Sequence, residues 1–166
     1  MSVVINGSAG VTTNSGAVYD GIQSATAQAS TSGTSIDFTG IPSWVKRITV
    51  MFSGVSTSGT ARIIVQLGTA SSFKTSGYAS VGGSASGTTG FITVGASASD
   101  TRNGQMIISN HSGNLWVETF GMMTTSSFTD AGSGAVTLDA PLTQLRITTV
   151  NGTDTFDAGS INILYE

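Results

Sequence analysis

No cysteine occurs in the 166 residues, so the chain offers no disulfide framework, no thiolate nucleophile and no thiolate metal site. That fits assembly in a reducing cytoplasm. Charge is almost as scarce. Asp, Glu, Lys and Arg make up 9% of the chain, against roughly 25% in an ordinary domain. The six basic residues (Lys46, Arg47, Arg62, Lys74, Arg102, Arg146) are dispersed apart from one adjacent pair, and the net charge is −3. Binding phosphate backbones needs clustered Lys and Arg, so a nucleic-acid partner is not expected. No run approaches the roughly 20 apolar residues of a transmembrane helix. Met1 to Gly7 has neither the basic start nor the apolar stretch of a signal peptide. The expectation is a chain that does not insert in a membrane and is not exported by a cleaved leader.

Helical signals are also missing. Leu, Glu and Lys are few, and no window of helical length repeats apolar residues at i, i+3, i+4 and i+7. Nor are there the heptads of a coiled-coil shaft. Ser and Thr fill the space instead, 25 of each, with 22 Gly. Mean hydropathy is +0.21 although only 39% of residues are hydrophobic, because so few carry charge. A surface of this kind does little to keep copies apart, and self-association is expected.

Short alternating runs between Gly-rich and polar clusters read as many strands joined by turns. Val45–Ser53 places Ile48, Val50 and Phe52 on one face. Arg62–Leu67 repeats the pattern, with Ile63, Val65 and Leu67 inward and Arg62, Ile64 and Gln66 outward. The stretch 54–60 between them reads as the turn of a hairpin. Further strands are expected at Ser35–Thr39, Phe91–Val94, Gln105–Ser109, Leu115–Phe120, Ala135–Leu138, Leu145–Val150 and Ser160–Tyr165. Asn110 to Asn114 reads as a hairpin loop and Asn151 to Asp154 as a tight reversal. The fold expected is an all-β, antiparallel β-sandwich, jelly-roll-like, with an up-and-down barrel as the alternative. Residues 1–33 are too poor in apolar side chains to build a core and read as an extended N-terminal arm on partner subunits; residues 34–166 read as one β-sandwich domain. Residues 68–90 read as a long polar loop.

Catalytic chemistry finds little support. His111 is the one histidine and falls in a turn, without a second His or Cys to share a metal and without an orienting carboxylate. Most acids lie at loop ends. Asp37 and Glu118 lie in strands, and neither is expected in an apolar setting that would raise its pKa for acid catalysis. The oxygens of Asn151 to Asp157 lack the acidic spacing of a calcium loop and read as Asx turns. The expectation is a non-enzyme with no cofactor and no metal. Among the aromatics, Trp44 and Trp116 read as core, whereas Phe73, Tyr78 and Phe128 fall in loops and are the candidate ligand-binding residues, since exposed rings beside polar groups stack on sugars.

Several stretches carry a resemblance: Thr39-Gly-Ile-Pro-Ser-Trp-Val-Lys-Arg-Ile-Thr-Val-Met-Phe-Ser-Gly-Val-Ser56, the tail from Leu145 to Glu166, Thr101-Arg-Asn-Gly-Gln-Met106, Gly113-Asn-Leu-Trp-Val117 and the opening Gly10 to Tyr19. They resemble modules of bacteriophage tail-fibre and other virion structural proteins. The resemblance implies a β-rich virion protein assembled in the host cytoplasm, commonly a homotrimer, whose partners are itself, other tail or capsid proteins and host surface polysaccharide. A receptor-binding appendage is the first expectation. The lack of a coiled-coil shaft raises a capsid decoration, cement or head-fibre protein beside it.

Overall fold

The computed structural model describes residues 4–6, 10–12, 21–95, 97–126 and 129–166. Val4–Asn6 (β1) and Gly10–Thr12 (β2) pair with each other as a two-stranded sheet. Then follow Gln23–Ser24 (β3), Gln28–Ala29 (β4), Ser35–Thr39 (β5), Arg47–Thr57 (β6), Ile63–Gly68 (β7), Ala79–Gly82 (β8), Ala85–Gly87 (β9) and Phe91–Ile92 (β10). Arg102–Ser112 (β11), Leu115–Thr124 (β12), Thr129–Thr137 (β13), Gln144–Thr149 (β14) and Phe156–Tyr165 (β15) complete the order, and no helix occurs among the described residues. The small sheet runs β10-β7-β14-β5. The nine-stranded sheet runs β3-β15-β6-β11-β12-β13-β8-β9, with β4 also on β15. All pairs are antiparallel. This is the β-sandwich that the period-two alternation implied, and the chain crosses between sheets often enough to be consistent with a jelly roll.

Cross-strand rows explain the core. Ile163, Val50, Met106 and Phe120 stand opposite one another across β15, β6, β11 and β12. From the small sheet Phe38, Leu145 and Leu67 form a matching row. All seven are at most 4% exposed, and each such side chain contributes about 1.5–3 kcal/mol by leaving water. Trp116 joins this core as expected.

Three local expectations are corrected. The proposed hairpin over 45–67 does not form: β6 continues through Val55, Ser56 and Thr57, pairing with β15, and β7 belongs to the other sheet. Gly54 is a bulge inside the strand, not its end. It has φ 63 and faces Gly159, with φ 88, where the β6–β15 register shifts. A side chain at Gly159 would collide with the Gly54 backbone, and one at either position would be strained. Secondly, the outward face of β7 is covered, leaving all six of its residues buried. Gln66 Nε2 donates to Thr89 O at 2.8 Å, and Arg62 Nη1 donates to the carbonyls of Gly82 and Thr93. Thirdly, the stretch 68–90 contains β8 and β9. Residues 23–24 and 28–29, within the segment read as an arm, lie as short strands on β15, and Ser30 donates through N to Gly159 O and through Oγ to Ala158 O.

Candidate functional site

Of the three aromatic residues singled out from the sequence, Phe73 and Tyr78 do not share an exposed surface. Tyr78 is 3% exposed, a core residue. Its ring meets Phe91 edge-on at 5.0 Å, and its hydroxyl oxygen accepts from Leu67 N at 2.7 Å. Burial pushes that hydroxyl above its ordinary pKa. The reading of Tyr78 as an exposed loop ring is corrected: it is a core residue with its hydroxyl engaged by the backbone. Phe73 is half-buried on the outer face of the small sheet, bridged through its backbone to Gly68. The Arg146 guanidinium lies 4.2 Å from the Phe73 ring centre, and Asp37 grips it at 2.8 and 2.7 Å. One face of Phe73 is therefore taken by a cation. Phe128 lies outside the described residues.

Trp44 was expected in the core and is instead 51% exposed. It follows Pro42 and Ser43 ahead of β6, and its ring centre lies 6.3 Å from that of Tyr165, tilted by 50°. Tyr165 lines a cleft of about 400 Å³ where the edges of the two sheets part, together with Thr26, Gln28, Thr39, Ile41 and Ile163. Gln28 Nε2 crosses this opening to Asp37 O at 2.7 Å. An exposed indole and a phenol ring beside amide and hydroxyl groups form a surface that can stack on a pyranose and hydrogen-bond its hydroxyls. Sequence reasoning missed it because Tyr165 lies more than a hundred residues from Trp44.

A second surface is the outer face of the nine-stranded sheet. Leu164, Thr49, Ile107, Thr119, Ser133 and Val81 form one continuous row across it. Val81 is 51% exposed, and Val117 and Met123 on neighbouring rows are also exposed. The outward positions opposite Arg47 to Ser53 carry one charge, Arg47, which meets Glu166 at 3.2 Å.

Three charged groups depart from the sequence expectation or define loops. Arg102 is fully buried, and none of its guanidinium nitrogens has an acceptor. Burial lowers its pKa, and the charges of Asp100, Asp157 and Asp154 act against that. Glu118 was expected outside any apolar setting. It faces the core between Trp116 and Phe120, is 4% exposed, and its pKa is raised to about 7 by desolvation. Asp100 is held at about 2, first by Ser126 and then by Ser97 and Thr125, in a loop clasp. His111 sits exposed in the β11–β12 hairpin. Asn151 Oδ1 accepts from Thr153 N and Asp154 N, and Asp154 Oδ2 accepts from Ala61 N, so these oxygens are turned onto the backbone. Among the described residues no three acidic or imidazole groups converge as metal ligands. Compared with family models, with curated proteins and with solved structures, the chain returned no match.

Proposed function

We propose that this chain is a bacteriophage virion structural protein, a tail-fibre or receptor-binding appendage module that holds host surface glycan and performs no catalysis. The observation that carries glycan binding is the exposed Trp44 beside Tyr165, which itself lines the cleft between the sheets. The assignment to a phage particle is supported by the sequence resemblance. Adsorption of the purified protein to host cells, or to their extracted polysaccharide, tests the reading. Trp44→Ala is expected to weaken binding about 5- to 150-fold, since losing an exposed stacking ring removes about 1–3 kcal/mol. The fold should be unchanged, because the side chain is half exposed and stands outside the core. Equal binding by the variant and the parent would remove this site from consideration.

A specific observation favours a second reading, a capsid decoration protein: the almost chargeless outer face of the large sheet suits burial against other virion proteins, including further copies in a homotrimer. Mixing labelled protein with particles lacking it decides between the two. Labelling of the shell supports decoration, and labelling of the tail supports the appendage.

A further inference from the structure

We propose that Glu118 is a proton-binding site that keeps the β8–β9–β10 edge of the sandwich closed while its carboxyl is neutral and loosens that edge when the carboxyl ionises.

The geometry begins with the register. Glu118 stands opposite Ile108 on one side and Gly134 on the other, and Gly134 stands opposite Ser80. Burial alternates strictly along β12, with Trp116, Glu118, Phe120 and Met122 all inward. Gly134 has no side chain, and a Cβ there would already crowd Phe91 and the Ala79 carbonyl. The Glu118 carboxyl comes close to Ser80, two strands along the same row. Neither carboxylate oxygen has a hydrogen-bond partner. The Ser80 hydroxyl is close enough to favour ionisation slightly, but it is outside bonding geometry and already accepts from Ile92 N at 3.0 Å. A neutral carboxyl is tolerated in such a place, whereas a carboxylate without a partner is not.

Among the described residues no charge nearby compensates. On β11, Arg102 opposes Thr124, three inward positions and so about 20 Å along the sheet, and His111 is exposed at the hairpin. On β13 the one ionisable group is Asp130, opposite Met122. β8, β9 and β10 contain none. Before β8, Tyr78 is engaged by Leu67 N, and from the opposite sheet Arg62 donates to the carbonyls of Gly82 and Thr93. Arg146 lies with Asp37 on the far face.

An ionised Glu118 gains water most readily where the sheet is thinnest. β9 is three residues long and ends the large sheet, and β10 is two residues long and ends the small one. The Ser80–Ile92 hydrogen bond joins these two margins. Opening there hydrates the carboxylate without disturbing the long central strands.

The folded carboxyl titrates above its unfolded value of 4.5. The native state thus binds the extra proton between these values, so stability is greatest at or below the unfolded pKa and declines as pH rises towards 7 and just beyond. In the full chain, the folding equilibrium constant should fall about 150-fold from pH 4.5 to 8 relative to Glu118→Gln, which cannot ionise. Amide exchange corrected for intrinsic rate should rise across residues 79–92 in the parent alone. Parallel stability curves for parent and variant would overturn the proposal, as would extra exchange spread evenly over the sandwich. If Glu118→Gln does not fold, the carboxyl carbon shift of Glu118 in the parent decides: a midpoint near 7 supports the proposal and one near 4.5 overturns it.

Discussion

At the scale of the residue, the core holds two ionisable side chains that the sequence pattern hid, and the surface holds an aromatic that it placed inside. Arg102 precedes β11's alternating stretch and resembles any dispersed surface cation, yet its guanidinium is shut in without an acceptor. A buried cation in that state is a burden on stability, and an apolar side chain of similar length removes it. Arg102→Met is expected to raise stability by about 1–3 kcal/mol, measured as an upward shift of the denaturation midpoint at unchanged slope. A loss of stability would show that the guanidinium has compensating contacts. Trp44 and Tyr78 exchanged their expected places for a shared reason. Tyr78 sits among Gly and Ser, where no periodicity marks it as core, but the Leu67 backbone N–H gives its hydroxyl a partner inside. Trp44 stands next to a strand whose inward positions are filled without it.

At the scale of the element, strands with bulky inward residues were legible and those without were not. β5 matches its expected span of Ser35–Thr39, and β12 and β14 begin within a residue of theirs. β8 escaped notice because its inward residues are Ser80 and Gly82, which contribute no hydrophobic beat. Their smallness is required. The Phe120 ring crowds Gly82 and Gly132, and the Ala79 carbonyl and Phe91 ring crowd Gly134, so that none of the three has room for a Cβ. Gly132 is the tightest of the three, its absent methyl overlapping both the Phe120 ring and the Val81 carbonyl. Gly132→Ala is expected to destabilise the fold by about 2–3 kcal/mol through overpacking. Pairing it with Phe120→Leu should recover part of that loss, and a double-mutant cycle in chemical denaturation measures the coupling. Independent, additive effects would mean that the carbonyl alone sets the clash. Likewise, the β6–β7 crossing was invisible because a Gly-, Ser- and Thr-rich segment reads the same whether it turns back or crosses to another sheet.

At the scale of the whole molecule, the low charge foreseen from composition is concentrated in its effect on one face. Outward positions on β12, β13 and β8 are nearly all Thr, Ser, Gly, Ala or Val, and the one ion pair described on that face, Arg47–Glu166, lies at its end, while Asp37–Arg146 lies on the opposite sheet. Placing a charge in the middle of that neutral face should separate copies and leave the core untouched. Ile107→Lys is expected to shift sedimentation of a self-associated species to monomer, with the midpoint of unfolding measured on the monomer changed by less than about 1 kcal/mol. Sedimentation identical to the parent would place the contact between copies elsewhere. Composition predicts self-association without naming a face for it, because outward and inward residues can only be sorted once the register is known.

The position of β15 has a consequence for how the molecule comes into being. This strand is among the last residues of the sequence, yet it lies inside the large sheet, with β6 on one side and β3 and β4 on the other. A ribosome delivers the two outer neighbours and the inner one long before it delivers the strand that joins them. Until then β6 has an open flank, and residues 23–29 have nothing to lie against. The nascent chain must therefore wait with an unpaired hydrophobic margin and close its sheet only after synthesis has passed residue 165, the stage at which it is most exposed to pairing with another copy instead of itself.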